Sequence, residues 1–303
     1  MTTENNDYYD YTKMMNDVEN LKSNYDCLDI GYIGDSILGN SLPVISIGRG
    51  QKSVIFIGSH HGMEWISSAL LMRFIFDYCE GLKKNAQNIF GISYRILFET
   101  RNIIIVPMLN PDGVGYSLHG VQKSNPLYNR LIKMNSGSSD FSSWQANARG
   151  VDLNHNYNCG FEKYKIIESS QGITNGAPSK YSGEHPESEP EIKALCNLVR
   201  IKEPYLALSL HTQGEEIYYT SGGNSSSDSL AIAKTISRLS GYAISMPIGT
   251  AQYGGFTDWF IEEFKRPSFT LECGKGTNPL PFSDLDEIYC RIKRVLFTAP
   301  ILI

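Results

Sequence analysis

The stretch Gly58-Ser59-His60-His61-Gly62-Met63-Glu64-Trp65 lies between an apolar run, Val54-Ile55-Phe56-Ile57, and an amphipathic segment that begins near Ile66. A short, uninterrupted apolar run closed by glycine reads as a strand buried on both faces, the kind found in parallel sheets. Leu70, Leu71, Phe74 and Ile75 then recur at helical spacing, which predicts a helix to about Glu80. The polar stretch therefore sits at the carboxyl end of a strand, where ligands bind in open α/β sheets. Within it His61 and Glu64 are three apart, so a helical turn brings an imidazole and a carboxylate onto one ion. This is half of a zinc site. His60 is not read as a ligand, because adjacent side chains diverge and only His61 has the spacing to Glu64.

Working outward, Tyr11, Met14, Met15, Val18 and Leu21 predict a leading helix within residues 1–25, followed by a hairpin of alternating segments near 28–33 and 42–47. Ile103-Ile104-Ile105-Val106 is a second strand of the buried kind, and it runs into Asn110-Pro111-Asp112-Gly113, read as a turn. Residues 113–187 carry much Gly, Ser, Asn and Tyr with little periodicity and read as long loops over one face, a length usually kept for function. Ser188-Glu189-Pro190-Glu191 reads as a capping box, with Ser188 as N-cap of a helix over 188–202. A strand from Tyr205 ends at His211. Helices over 227–240, 254–265 and 281–297 and a strand over 267–272 complete the chain. Strands alternating with helices predict one α/β domain over 1–303, with a central mixed, mostly parallel sheet covered by helices on both faces.

With 303 residues, 41% of them hydrophobic, the chain can bury a large core. Its net charge of −5 and the absence of a Lys/Arg block argue against nucleic acid or an anionic membrane as partner and favour a small or peptide-like ligand. The oligomeric state is left open. The first ten residues are polar and acidic and resemble no signal peptide, which predicts a cytoplasmic protein or one already stripped of a leader. Cys27, Cys79, Cys159, Cys196, Cys273 and Cys290 show no CxxC spacing and read as reduced thiols.

The third ligand is expected at His211, where another apolar strand runs out. Two His and one Glu leave a fourth position open, as in catalytic zinc sites, and one Zn2+ per chain is expected. Here the sequence resembles a family. Ser59 to Trp65 looks like the His-x-x-Glu-Trp signature of the zinc carboxypeptidases, and Pro107 to Gly113 resembles their Pro-x-x-Asn-Pro-Asp-Gly. Asn147-Ala148-Arg149-Gly150-Val151-Asp152-Leu153-Asn154 is similar to the bacterial form of their substrate-binding segment. Ser209-Leu210-His211 resembles the segment with the third ligand, and Pro267 to Glu272 the one with the catalytic glutamate. His211 to Tyr218, Tyr253-Gly254-Gly255-Phe256 with Asp258-Trp259, and Glu272 to Pro281 resemble a subgroup, the γ-D-glutamyl-(L)-meso-diaminopimelate peptidases that cut bacterial cell-wall stem peptides.

The resemblance implies that Glu272 is the general base; the alternative for a Glu at a strand end is a solvated cap. Arg149 is the guanidinium available for the oxyanion, or else a structural salt bridge, because the family's electrophilic Arg follows a Trp where this chain has Trp144-Gln145. Asn154 is expected to donate to a substrate carboxylate. The Arg that clamps a free C-terminus in carboxypeptidases is replaced by His155, readable as a carboxylate-binding imidazolium or as a satisfied loop histidine. The family's mobile Tyr is Thr250 here, and an Arg of the zinc motif is Met63. Gln213, Glu215 and Thr257 are expected to meet the polar diamino acid, Thr257 from the pocket floor. The resemblance thus implies a zinc peptidase acting on peptidoglycan-derived peptides. A carboxypeptidase on L-peptides, an amino-acid deacylase and a non-catalytic wall-binding module are the rivals.

Overall fold

The apolar run before the motif forms a central strand of the sheet, and the computed structural model around it describes residues 7–222, 224–247 and 253–303. Helix α1 (Tyr11–Asn24) leads, its start capped by Asp10, whose Oδ1 accepts from the Lys13 N–H at 2.9 Å. Strands β1 (Leu28–Asp35), β2 (Ser41–Ile47) and β3 (Lys52–Gly58) follow, then helix α2 (Ile66–Lys83). A small hairpin, β4 (Asn88–Ile89) and β5 (Ile92–Ser93), and helix α3 (Tyr94–Thr100) lead to β6 (Arg101–Val106). Helices α4 (Pro111–His119), α5 (Tyr128–Met134), α6 (Phe161–Ser170) and α7 (Pro190–Lys202) precede β7 (Leu206–His211) and β8 (Glu216–Tyr218). Helix α8 (Ser229–Ser240), β9 (Ala243–Ile244), α9 (Phe256–Phe264), β10 (Ser268–Glu272) and α10 (Leu285–Thr298) complete the order.

The main sheet runs β1-β2-β6-β3-β7-β10-β8-β9. Its middle, β6-β3-β7-β10, is parallel, with antiparallel strands added at both sides, as the alternation of strands and helices predicts. Consecutive side chains on these strands serve opposite layers. Val54 and Phe56 of β3 join the larger core with α1, α2, α8 and α10, while Ile55 and Ile57 join a second core with α7 and α9. This two-sided burial is why the strands read as continuous apolar runs rather than alternating ones. Phe56 is fully buried, edge-on to Phe74 of α2 at 5.8 Å between centroids. Phe56→Ala is expected to lower unfolding free energy by about 3–5 kcal/mol, read from the denaturant midpoint at unchanged slope; a loss below about 1 kcal/mol would contradict a packed core there.

Two local expectations are corrected. Asn110-Pro111-Asp112-Gly113 opens α4 instead of making a turn: Asn110 Oδ1 accepts from the Gly113 N–H at 2.9 Å and Pro111 occupies the first turn. Asn and Pro are helix-start residues as much as turn residues, and their order here fits the helix. The segment 113–187 accordingly holds most of α4 and all of α5 and α6 within its loops. Ser188 does not cap α7. The cap position is Glu189, while the Ser188 hydroxyl donates to Glu189 Oε1 and accepts from Asn156; Glu191 is buried and accepts from the Ile37 N–H at 3.2 Å. Both capping-box side chains are thus engaged by tertiary partners.

Candidate active site

The site assembles where β3, β7 and β10 end together. Gly58 pairs with Leu210, and His211 pairs with Glu272 across the parallel β7/β10 ladder, so a ligand candidate and the base candidate stand side by side. Beyond β3 the chain makes a tight 3-10 turn, Gly62–Glu64, that carries Glu64 back beneath His61. Gly62 must be glycine: a Cβ there would lie 2.4 Å from the Gly113 backbone, and its N–H donates to Gln145 O at 2.9 Å.

His61 Nδ1 lies 2.9 Å from Glu64 Oε1, and His211 Nδ1 lies 3.0 Å from Glu64 Oε2. One ligand atom from each of the three side chains falls within 4.8 Å of the others. The far nitrogens are held from behind: Asp152 Oδ1 stands 3.1 Å from His61 Nε2, and Ser209 Oγ stands 3.0 Å from His211 Nε2. Such partners fix imidazole orientation and leave the near nitrogens for a cation. Burial works against the Glu64 charge, but His61 and His211 outweigh it and bring its pKa to about 2. A buried anionic carboxylate between two oriented imidazoles is a donor set that fits zinc. His60 points elsewhere, with Nε2 at 2.8 Å from the Tyr157 hydroxyl and Nδ1 at 3.2 Å from Ser209 Oγ.

A cleft of about 250 Å³ opens over this group, lined by His61, His211, Glu272, Gln145, Asn154, His155 and Thr257 among others. Burial pushes the Glu272 carboxyl well above its ordinary range, and the Glu64 charge adds to this against the pull of His61. Asn154 Oδ1 accepts from the Phe256 N–H at 3.1 Å, so its amide nitrogen is the end left for a ligand. His155 stacks on Tyr164 at 4.0 Å and its Nδ1 lies 3.0 Å from the Tyr253 carbonyl, which can only accept. Burial lowers the His155 pKa against the opposing charge of Asp152, so the ring is neutral, donates from Nδ1 and offers Nε2 as an acceptor. Thr257 is buried and its hydroxyl sits 2.9 Å from that of Thr270. Thr250 lies outside the described residues.

Three expected contacts do not face this cleft. Arg149 is exposed, 3.7 Å from Glu189, and lines a separate depression with Arg130 and His185; the ion-pair alternative is the one its geometry follows. Glu215 is buried against Lys275 at 2.9 Å and Arg291 at 3.3 Å, where two cations neutralise it. Gln213 is exposed and is not among the cleft's lining residues. Sequence reasoning in turn assigned no role to Asp152, Gln145 or Lys180, all of which line the cleft. Asp152 lay inside the segment quoted for Asn154, and Gln145 followed the Trp that marks the family's electrophile. Lys180 carried no motif at all.

A sequence model of the zinc carboxypeptidases matches residues 12–290. The chain belongs to the zinc carboxypeptidase family. It is a zinc metallopeptidase, and His61, Glu64 and His211 are the residues that fit the family's metal. Gamma-D-glutamyl-L-diamino acid endopeptidase 1 of Lysinibacillus sphaericus is 39% identical over 282 residues, covering 93% of this chain and 69% of that protein. The uncharacterised protein YqgT of Bacillus subtilis (strain 168) is 32% identical over 293 residues, 96% of this chain and 77% of its own length. Among solved structures, thrombin-activatable fibrinolysis inhibitor superposes with a TM-score of 0.71 at 21% identity, over 97% of this chain and 73% of that one, a likeness of fold. Among the described residues, no helix of this zinc carboxypeptidase relative is long and apolar enough to cross a membrane.

Proposed function

We propose that this chain hydrolyses the γ-D-glutamyl–diaminopimelate bond of peptidoglycan stem peptides. The observation that carries the reading is its 39% identity, across 93% of its length, with an enzyme named for the γ-D-glutamyl-L-diamino acid bond. The cleft is consistent with it. Among the described residues that line the cleft, no guanidinium accompanies Asn154 to clamp the C-terminus of an ordinary peptide, and neutral His155 offers an acceptor where a carboxypeptidase would need a cation. That acceptor, with Thr257, suits an ammonium or other donor of a polar diamino acid.

Zinc, when bound, supplies a Lewis acid that polarises a carbonyl and acidifies water. Glu272 takes the proton of the attacking water as its oxygen adds to the carbonyl carbon, and passes it to the amide nitrogen as the C–N bond breaks. Gln145, in the place expected for a cation, offers an amide N–H to the charge developing on the carbonyl oxygen. Asn154 and His155 orient the leaving side. All six thiols are free, which suits a reducing compartment, and we place the reaction on muropeptide fragments taken into the cell or within a developing spore.

Mass spectrometry of digests tests the substrate. L-Ala-γ-D-Glu-diaminopimelate is expected to release L-Ala-D-Glu, while blocked dipeptides ending in L-Phe or L-Lys stay largely intact. Faster cleavage of those dipeptides at equal concentration replaces this reading with a carboxypeptidase.

A further inference from the structure

Among the described residues that line the cleft there is one Lys or Arg, Lys180. Its backbone is fixed on both sides. The Lys180 N–H donates to Asp152 Oδ2 at 2.8 Å, and its carbonyl accepts from the Tyr164 hydroxyl at 3.0 Å. These bonds hold the residue at φ 66°, a conformation uncommon outside glycine that persists where the surroundings over-determine it and that clusters at functional sites. The side chain itself is exposed and, among the described residues, makes no ion pair. Asp152, the carboxylate bonded to its backbone, is already engaged by His61 and by that N–H. A cation with a rigid root and no ion-pair partner, at the edge of a cleft that holds Glu272 and Asp258, is available to an anion that arrives with the ligand.

We propose that Lys180 binds a carboxylate of the substrate and so is a specificity determinant. The proposal rests on the stem-peptide reading. In that substrate the γ-linkage leaves the D-glutamyl α-carboxylate free, separated from the scissile carbonyl by the side-chain methylenes, and diaminopimelate carries carboxylates of its own. Lys180 supplies the charge-assisted contact that Arg149, on another face, does not reach.

Steady-state kinetics on zinc-loaded protein decide it, using L-Ala-γ-D-Glu-diaminopimelate, the same peptide amidated at the D-glutamyl α-carboxylate, and the same peptide amidated on diaminopimelate. Lys180→Met is expected to raise KM for the parent peptide about tenfold with kcat nearly unchanged, and Lys180→Arg to recover most of that loss. The Lys180→Met penalty is expected to vanish on one of the two amidated peptides, which identifies the carboxylate that is held. An equal penalty on all three, or one carried in kcat, overturns the proposal and puts the ammonium on the reacting carbonyl. No penalty on any peptide that the wild-type protein cuts overturns it alone. If the wild-type protein cuts none of the three, the stem-peptide assignment falls and takes this inference with it.

Discussion

Glu272→Gln is expected to keep about one equivalent of zinc while turnover of the γ-linked peptide falls about 10²–10⁴-fold. Glutamine matches glutamate in shape but cannot accept a proton near neutral pH, and the residue is not one of the three that converge on the metal position. The fold should tolerate the change, because burial and the neighbouring Glu64 already disfavour the charged carboxylate. A neutral isostere meets the same surroundings at lower electrostatic cost. Metal analysis and kcat on one preparation read both halves. A zinc-replete Glu272→Gln protein that retains its turnover would falsify the general-base mechanism.

His61→Ala is expected to lose both metal and hydrolysis. It removes one of three donors and leaves Glu64 Oε1 and Asp152 Oδ1, both buried, without the imidazole that joins them at 2.9 and 3.1 Å. Zinc content should drop from about one equivalent to below about a tenth, because affinity depends on the full preorganised donor set. The measurement is zinc per chain after dialysis without chelator, with added zinc as the rescue arm. Metal content equal to that of the wild-type protein would place the ion elsewhere.

Much of this site is legible in the sequence because the ligands terminate the strands that are easiest to read. Val54–Ile57 is apolar on both faces and Leu206–Leu210 nearly so, with Ser209 the exception, so the ends of these runs mark the sheet's carboxyl edge, and His61 and His211 are found there. Register adds what sequence does not contain: β7 and β10 align His211 with Glu272 at the cleft. Loop side chains are another matter. Arg149 and Asn154 lie in one motif, yet Arg149 turns to Glu189 while Asn154 reaches the cleft, and nothing in their local pattern distinguishes the two directions. Glu215 reads as a pocket acid until Lys275 and Arg291, from distant parts of the chain, are brought against it. Asn110-Pro111 fits a turn and a helix start equally well on propensity, and only the capped α4 decides. Lys180 shows the limit most clearly, since its role depends on Asp152 and Tyr164, which hold its backbone from other segments.

The β7/β10 pairing also makes hydrolysis a late event in folding. Glu64 and His211 are 147 positions apart in the chain, and Glu272 is carried by a strand that forms later still in sequence. Closing loops of that length has an entropic cost before any contact offsets it, and long-range parallel pairing is slow compared with helix formation. A slip of one residue between β7 and β10 would turn Glu272 to the opposite layer, so a chain with its helices formed and its strands misaligned has no general base beside His211. Recovery of activity after dilution from denaturant therefore reports strand alignment, and it is expected to trail the return of helical circular dichroism.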